Sequence, residues 1–180
     1  MNKLAIISLI FLITVTNSFS KGVDIKKSTF NWKATKVTGE HVGTLRLKSG
    51  DLNFSNNKLT GGNLTMDINS VNVTDLSGKW KKKFLNHMKS ADFFNVEKFP
   101  VAKLEILKVL KNKIKANLTI MGKTHEQLIS FKSSKKSFFG EFTFDRTKFG
   151  MIYGSGDFFK NLGDKMIHNK ILVKFKVVLK

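Results

Sequence analysis

The chain has 180 residues with 32 basic and 13 acidic side chains, a formal net charge of +19, and no cysteine. This length suits one domain with a single core, and the missing cysteines exclude a fold held by disulfides. The charge comes almost entirely from lysine, because Arg46 and Arg146 are the two arginines. Nucleic-acid binding proteins usually add arginine and a recognisable reading element. The composition therefore indicates solubility and attraction to anionic surfaces rather than nucleic-acid binding.

Residues 1–20 have the pattern of a secretory signal peptide. Lys3 supplies the positive start, residues 4–15 are apolar apart from one serine and one threonine, and residues 18–20 form a small-x-small cleavage site. The apolar run is too short for a membrane span of about 20 residues, and no second one follows. The sequence predicts an exported protein, periplasmic or secreted, whose mature domain is residues 21–180. Removal of the signal takes away Lys3 and no acidic residue, which leaves a charge of +18.

In the rest of the chain, apolar residues occupy every second position of many short segments, which is typical of strands with one buried face. The predicted inward residues are Phe30, Trp32, Ala34, Gly43, Leu45, Leu47, Leu52, Phe54, Leu64, Met66, Ile68, Val71, Val73, Leu104, Ile106, Ile114, Ala116, Leu118, Ile120, Phe138, Gly140, Phe142, Phe144, Ile171, Val173, Phe175, Val177 and Leu179. A change of phase predicts a β-bulge near Ser70, and the polar residues 132–137 are predicted to separate two strands. Eight or nine strands with short connections predict an all-β antiparallel barrel.

Residues 79–100 break this alternation. Trp80, Phe84 and Met88 recur at every fourth position, which predicts one apolar stripe on a short, lysine-rich helix. Pro100, the single proline of the chain, closes the segment before strands resume. A lone amphipathic helix in a barrel must lay its stripe on an apolar surface. Two interpretations stay open at this point: the helix plugs a filled core, or it covers a cavity.

The sequence lacks the residue patterns that catalysis and metal binding require. His41, His87, His125 and His168 match no metal-ligand spacing, and neither a nucleophile elbow nor a pair of neighbouring carboxylates occurs. We therefore expect no enzymatic activity, no metal and no cofactor, and a binding role instead.

The segment at residues 87–100, HMKSADFFNVEKFP, resembles the signature phrase of the YceI-like family of exported bacterial proteins. Matching pieces follow one another along the mature chain at residues 32–34, 37–43, 59–62, 116–122, 145–150 and 161–164. The resemblance implies an extended, lipocalin-like barrel of about eight antiparallel strands with one short helix. It also implies a hydrophobic tunnel that encloses an isoprenoid-type chain, a polyprenyl lipid or an isoprenoid quinone tail, for storage or transport.

The alternation and the resemblance together predict a set of lipid-binding side chains. This set is Phe30, Trp32, Leu45, Leu47, Met66, Ile68, Trp80, Phe84, Met88, Phe93, Phe94, Phe142 and Phe144. A prenyl tail has no hydrogen-bonding groups, so its site needs only shape and apolar walls. The small inward residues Ala34, Gly43 and Gly140 favour an open cavity over a filled core.

A second hypothesis is a dry-cored barrel whose lysine-rich face binds anionic polymers of the bacterial envelope. The sequence leaves the oligomeric state open, a homodimer included. Asp145 and Arg146 are expected to have a structural role, with Arg146 capping the base of the barrel through a buried pair with a carboxylate.

Overall fold

The structure is a computed structural model that describes residues 17–180. Its nine strands are β1 (Ser18–Gly22), β2 (Thr29–Lys36), β3 (Gly39–Ser55), β4 (Lys58–Val73), β5 (Val101–Leu110), β6 (Lys113–Ile120), β7 (Lys123–Ser134), β8 (Ser137–Asp145) and β9 (Ile167–Val178). A single α-helix among these residues, α1 (Gly78–Lys89), joins β4 to β5. Two short 3-10 turns, Arg146–Phe149 and Gly163–Lys165, lie between β8 and β9. Over residues 17–180, no helix has the length and apolar character needed to cross a membrane.

Eight of the strands close into an antiparallel barrel. They pair in the order β3-β2-β9-β8-β7-β6-β5-β4, and a further pairing of β3 with β4 completes the ring. The remaining strand, β1, pairs with residues 51–55 of β3, beyond the residues that pair with β2. The lipocalin-like antiparallel barrel predicted from the sequence is therefore confirmed.

The connections between strands make the two ends of the barrel different. At one end, which we call the turn end, three hairpins close with two-residue turns at 56–57, 111–112 and 135–136. The opposite end, which we call the helix end, carries the β2–β3 and β6–β7 turns and two long connections. These are residues 74–100, which contain α1, and residues 146–166 between β8 and β9. Long connections therefore gather at one end of the barrel alone.

Burial along the strands confirms the predicted alternation. In β6 every second residue is buried, and the buried residues are Ile114, Ala116, Leu118 and Ile120. These side chains point into the barrel because successive residues of a strand face opposite sides of the sheet. The lysines of the same strand, Lys113 and Lys115, are exposed. The inward residues of the different strands meet in one core cluster.

The predicted bulge near Ser70 is present in β4. This strand advances from Asp67 to Asn72 while its partner β3 moves from Arg46 to Thr44. The Ser70 hydroxyl donates to the Asp67 carbonyl at 2.6 Å and accepts from the Arg46 amide at 2.8 Å. A side chain thus satisfies backbone groups that the ladder leaves open at the bulge.

The prediction that residues 132–137 separate two strands is wrong in its extent. β7 continues to Ser134 and β8 begins at Ser137, and these two serines pair directly. Two residues, 135–136, are enough for the turn, and Lys135 takes the positive φ (49°) that such tight turns need. Cross-strand hydrogen bonds satisfy the backbone here, so a polar surface segment can still be strand.

The predicted signal peptide lies mostly outside the described residues. Residues 1–16 are not described, whereas the predicted cleavage site at 18–20 belongs to β1. Within β1 the ring of Phe19 stacks on Phe54 with 5.5 Å between centroids. Cleavage after Ser20 would remove most of this strand. The boundary at residue 21 stays a prediction, and mass spectrometry of the amino terminus of the exported protein tests it.

Candidate functional site

A cavity of about 430 Å³ occupies the helix end of the barrel. Its wall is predominantly apolar. It is built from residues of β2, β3, β4, β5, β6, β8 and β9, from α1 and the residues after it, and from the β8–β9 connection. The charged side chains on its lining are Lys36, Lys103, Asp164 and Lys165, which all lie close to the helix end of the barrel. The cavity therefore opens to solvent at that end. Its volume falls in the range of roughly 300–1,000 Å³ that is usual for small-molecule sites.

The helix α1 covers this cavity, which decides between the two interpretations of the amphipathic segment. The ring of Phe84 lies nearly parallel to the indole of Trp32 on β2, with 6.3 Å between centroids and 8° between planes. The imidazole of His41 contacts the same ring, at 4.9 Å between centroids. Met88, one turn further along α1, is buried against the core. The helix is held over the barrel by aromatic contacts and leaves open space beneath it.

The structure places eleven of the thirteen predicted lipid-binding residues on the cavity wall. These eleven are Phe30, Trp32, Leu45, Met66, Ile68, Phe84, Met88, Phe93, Phe94, Phe142 and Phe144. Seven of them come from strands that barrel closure brings together, and the other four come from α1 and the residues after it. Their contact with a lipid stays a prediction.

Trp80 does not line the cavity, and its side chain is 62% exposed. An α-helix has 3.6 residues per turn, so each step of four residues rotates a side chain by about 40°. Trp80 and Met88 are two such steps apart and point roughly 80° apart around the axis. The wall takes Phe84, His87 and Met88 from α1 instead. Trp80 is therefore off the cavity wall, and its predicted contact with a lipid stays a prediction.

Leu47 is buried but is also absent from the cavity wall. Leu47, in β3, pairs with Met66 of β4, and the register of these two strands shifts on both sides of this pair. Because a bulge redirects the side chains around it, Leu47 packs into the core rather than facing the open space. Leu47 is therefore off the cavity wall, and its predicted contact with a lipid stays a prediction.

Gly43 and Gly140 make room for aromatic rings of the protein, whereas the sequence suggested that they leave a cavity open. A Cβ at Gly43 would overlap the indole of Trp32, and a Cβ at Gly140 would lie 2.6 Å from the ring of Phe175. Both glycines thus permit close packing in a strand. Of the three small inward residues, Ala34 alone lines the cavity.

An aromatic and leucine layer forms the floor of the cavity. A second space of about 40 Å³ lies behind it, toward the turn end. The two spaces share four wall residues, Phe30, Leu64, Leu104 and Phe142. The second space is bounded on its far side by aromatic side chains that include Phe131, Phe138 and Phe175. The bore of the barrel is therefore hollow under α1 and filled near the turn end.

Two buried nitrogens near α1, the lid of the cavity, have no hydrogen-bond partner among the described residues. They are Nε1 of Trp32 and Nε2 of His87. Protein atoms cover both nitrogens, so neither presents a hydrogen bond to the open space. The ring of His87 packs edge-on against Tyr153 and Phe93, at 4.4 and 6.1 Å between centroids. The cavity consequently presents mostly carbon to a ligand.

Several wall residues were not among the predicted site residues. Leu64, Leu118 and Ile120 lie in the inward register of their strands, so the alternation could have supplied them. Met151 and Tyr153 lie in the β8–β9 connection, where no periodicity identifies inward positions.

Arg146 holds the β8–β9 connection beside the cavity. Its side chain is completely buried, and Nε and Nη2 donate to the carbonyls of His168 and Ile167 at 3.2 and 3.1 Å. Nη1 donates to the carbonyl of Met151. Burial lowers the pKa of the guanidinium, and the charge of Asp145 acts in the opposite direction. Because Met151 and Ile167 line the cavity, Arg146 fixes part of its wall.

The predicted pairing of Arg146 with a buried carboxylate is wrong. Its partners are three backbone carbonyls, and the carboxylate of Asp145 accepts from the backbone and hydroxyl of Thr147 at 2.9 and 2.6 Å. Asp145 thereby caps the 3-10 turn that follows it. The structural role expected of both residues is present through these different contacts.

His41 and Asp75 form an ion-pair contact at the edge of the lid. Nδ1 of His41 donates to Asp75 at 2.7 Å, since a carboxylate can only accept. Partial burial raises the pKa of Asp75. Hydrogen bonds from the Val42 amide and from His41 lower this pKa by a larger amount, so the net shift is downward. The pair orients the imidazole that packs on Phe84.

The other histidines also have local partners. His125 contacts the carbonyl of Lys148 and His168 contacts the Thr35 hydroxyl, at 3.1 and 2.8 Å. Within residues 17–180, no group of three or more histidine, cysteine or acidic residues is arranged to hold a metal ion.

The chain is similar to known proteins in sequence and in fold. The sequence model of the YceI-like domain matches residues 22–179. No curated protein shows a significant match to the chain.

Solved structures with a similar fold include three bacterial proteins. BcnA of Burkholderia cenocepacia is 18% identical with a TM-score of 0.64, and the alignment covers 88% of this chain and 99% of that one. A polyisoprenoid binding domain from Saccharophagus degradans, implicated in plant cell wall breakdown, is 15% identical with a TM-score of 0.59 over 88% and 97%. The Campylobacter jejuni YceI protein is 14% identical with a TM-score of 0.52 over 99% and 91%. At these identities the likeness shows a shared fold.

Proposed function

Because the chain belongs to the YceI-like family, we propose that it binds an isoprenoid-type chain in the cavity beneath α1. The ligand is a polyprenyl lipid or the tail of an isoprenoid quinone, held for storage or transport. One observation carries the proposal: an apolar cavity of about 430 Å³ lies under the helix. The polyisoprenoid binding domain from Saccharophagus degradans, which shares the fold, supports the choice of ligand.

The energetics favour a hydrocarbon chain of several isoprene units. Burial of each CH₂-sized group contributes about 0.8 kcal/mol, so one five-carbon unit contributes roughly 4 kcal/mol. Association costs about 4–15 kcal/mol in lost freedom of the partners. A single unit would thus bind too weakly, whereas four units, at roughly 16 kcal/mol, outweigh the cost without any polar contact. The carbon-rich wall suits such a ligand, because the hydrocarbon would displace water from few polar groups of the protein.

The YceI-like family is a family of binding domains whose members are typically exported. We therefore propose a binding protein of the periplasm or the secreted fraction, rather than an enzyme. The signal peptide predicted at residues 1–20 is consistent with this location.

Organic extraction followed by mass spectrometry tests the proposal. We expect protein purified from its native host to release an apolar isoprenoid. Phe84→Asp should lower the extracted amount at least tenfold, because a carboxylate would replace an aromatic ring on the cavity wall. Leu128→Asp is the matched control, since it introduces the same charge at an exposed apolar position on the barrel wall, away from the cavity.

Two results would overturn the proposal. One is native protein that repeatedly yields no lipid. The other is equal loss of lipid in the Phe84 and Leu128 variants, with unchanged expression and melting temperature.

A further inference from the structure

We infer that the helix end of the barrel docks on an anionic lipid bilayer. Exposed aromatic side chains would enter the membrane interface, and lysines of the same end would contact the lipid headgroups. This surface surrounds the opening of the cavity. Its exposed side chains carry the inference, and the one argument that uses the opening rests on the proposed function.

The aromatic side chains are exposed at one end of the molecule. We define the aromatic rim as Trp80, Tyr153, Phe158 and Phe159, which are 62%, 48%, 55% and 44% exposed. Trp80 belongs to α1 and the other three to the β8–β9 connection, so all four lie at the helix end. Among residues 17–180, Phe139 is the other aromatic residue exposed to a comparable degree. Soluble proteins seldom leave large apolar side chains exposed together unless they contact a partner or a membrane.

The chemistry of the aromatic rim suits a membrane interface. Tryptophan and tyrosine have an apolar body and a polar tip, and they are enriched at the boundary between hydrocarbon and water. Phe158 and Phe159 are adjacent and both exposed, in a connection that Arg146 holds against the barrel. Two neighbouring phenylalanines on a fixed loop can enter the interface together without a large ordering cost.

Lysines accompany the aromatic rim. Lys79, Lys82 and Lys83 on α1 are exposed, as are Lys160 and Lys165 in the β8–β9 connection. None of the five forms an ion pair within the described part of the chain. A lysine close to a bilayer that contains anionic lipids strengthens binding, because the negative surface potential of the bilayer attracts its charge. These lysines are therefore free to contact headgroups.

Helix stability does not account for the lysines of α1. The first turn of the helix carries no acidic residue, and Ser77 at its N-cap makes no side-chain hydrogen bond. Positive charges there oppose the helix dipole, whose amino-terminal end is itself positive. Nζ of Lys79 lies 5.7 Å from the centroid of the Trp80 ring, which combines a cation and an exposed indole at one point. An anionic surface would offset the repulsion among these charges.

The position of the cavity opening supports a membrane rather than another anionic partner. Tyr153 and Lys165 line the cavity and also lie at the helix end. Docking at this end would bring the opening against the lipid, where an apolar chain is already dissolved. Passage through water would instead expose every CH₂ group of the ligand.

The rest of the barrel surface is also rich in lysine, so charge alone cannot identify the docking surface. A soluble polyanion would depend on lysines in several places and would not need exposed phenylalanines. A bilayer should depend on both the lysines and the aromatic rim at the helix end. This difference determines the design of the test.

Vesicle co-sedimentation provides that test. The protein is mixed with vesicles of phosphatidylglycerol and phosphatidylethanolamine, and separately with vesicles of phosphatidylcholine. Phe158→Ser with Phe159→Ser removes half of the aromatic rim. Leu107→Ser with Leu128→Ser is the matched control, because these leucines are exposed to a similar degree, 45% and 59%, on the barrel wall. All proteins share one amino terminus, so the apolar residues 4–15 cannot create a difference between them.

A second pair of variants tests the charge. Lys82→Glu with Lys83→Glu changes the charge of α1, and Lys111→Glu with Lys113→Glu makes the same change at the turn end. All four lysines are exposed. Melting temperatures of the variants show that each is folded, and raising the salt concentration should weaken binding to anionic vesicles.

We expect the helix-end variants to bind anionic vesicles at least tenfold more weakly than the native protein, while both control variants bind normally. Native protein should also prefer anionic over phosphatidylcholine vesicles at least tenfold. The inference is overturned if the native protein stays in the supernatant when the anionic vesicles are sedimented. It is equally overturned if the control pairs lose as much binding to anionic vesicles as the helix-end variants. A third contradicting result is binding to a soluble polyanion such as heparin, with the same dependence on the helix-end lysines, in the absence of binding to vesicles. Lipid extraction from the same samples reports separately on the cavity.

Discussion

The two ends of the barrel are built from the same alternating strands, but the turn end is filled with side chains and the helix end is hollow. Near the turn end, the rings of Phe54 and Phe131 both contact that of Phe138, and Phe175 stacks on Phe30, so aromatic side chains fill the bore. Near the helix end, the inward residues include Ala34 and the flexible methionines of β4 and α1, and a cavity of about 430 Å³ remains. Two-residue turns close the filled end, and long connections surround the hollow one.

This difference separates the part of the barrel that stabilises the fold from the part that can hold a ligand. Side chains in a close-packed core make dispersion contacts on all sides, whereas those that face an empty space lose some of them. The filled end should therefore contribute most of the folding free energy. The hollow end has to be kept in shape by other means, chiefly the contacts of α1 and the hydrogen bonds of Arg146.

The largest expected effect comes from removing the guanidinium that holds the hollow end. Arg146→Met should reduce the free energy of unfolding by about 3 kcal/mol or more, because three backbone carbonyls, one buried and two partly buried, lose hydrogen bonds to a charged donor. Chemical denaturation measures this change. Arg46→Met is the matched control, since the side chain of Arg46 is exposed and its loss should cost within about 0.5 kcal/mol.

An Arg146 variant as stable as the Arg46 variant would contradict this account. It would mean that the β8–β9 connection keeps its position without the three hydrogen bonds. Protection of amides in residues 146–166 against hydrogen exchange reports on this directly, and it should fall in the Arg146 variant alone.

A pair of identical truncations compares the two ends at slightly smaller scale. Ile129 is fully buried beside the small space near the turn end, and Ile171 lines the large cavity. Ile129→Ala should cost about 2–3 kcal/mol, because the space of about 40 Å³ beside it is small and the removed atoms leave closely packed neighbours without contacts. Ile171→Ala should cost about 1–2 kcal/mol in ligand-free protein, since it only enlarges a space that already exists. Equal losses would show that the two ends are packed alike.

The sequence predicted the barrel and most of the cavity wall for one physical reason. A period of two determines which side of a strand faces inward, and barrel closure brings all inward sides together. Phe30, Phe142 and Met66 could therefore be assigned to the interior without a structure. The position of Trp80 off the cavity wall was predictable in principle, because the rotation of about 40° for every four residues follows from helix geometry alone.

Other features could not be derived from the pattern. Alternation tells that Gly43 and Gly140 face inward, but not that rings of Trp32 and Phe175 cover them, since those rings come from other strands. The partners of Arg146 are backbone carbonyls, which every residue carries, so no residue type in the sequence identifies them. Which end is hollow likewise depends on side chains that meet only after the barrel closes.

The floor between the two spaces offers a further comparison, which rests on the proposed ligand. Phe142 lines both spaces, and Phe142→Ala should join them and lengthen the bore. We expect the variant to bind the long alcohol solanesol about tenfold better relative to the shorter farnesol, a change of about 1.4 kcal/mol. Phe175→Ala is the control, because Phe175 lines the small space alone. Competition for a fluorescent lipid measures the ratio. An unchanged ratio would mean that the floor does not limit chain length.

The smallest expected effect concerns the ion-pair contact at the edge of the lid. The pKa of Asp75 is lowered from 3.8 in the folded protein, so this contact stabilises the fold above that pH and is lost as the pH falls through the lower, folded value. Because both side chains are partly exposed, solvent screening limits its contribution to under about 1 kcal/mol. Denaturation near pH 3 and near pH 7 measures it. Asp75→Asn, which cannot ionise, should lose less stability between these two conditions than the native protein. The same loss in both would show that the hydrogen bond from His41 holds the imidazole against Phe84 without any contribution from the charge of Asp75.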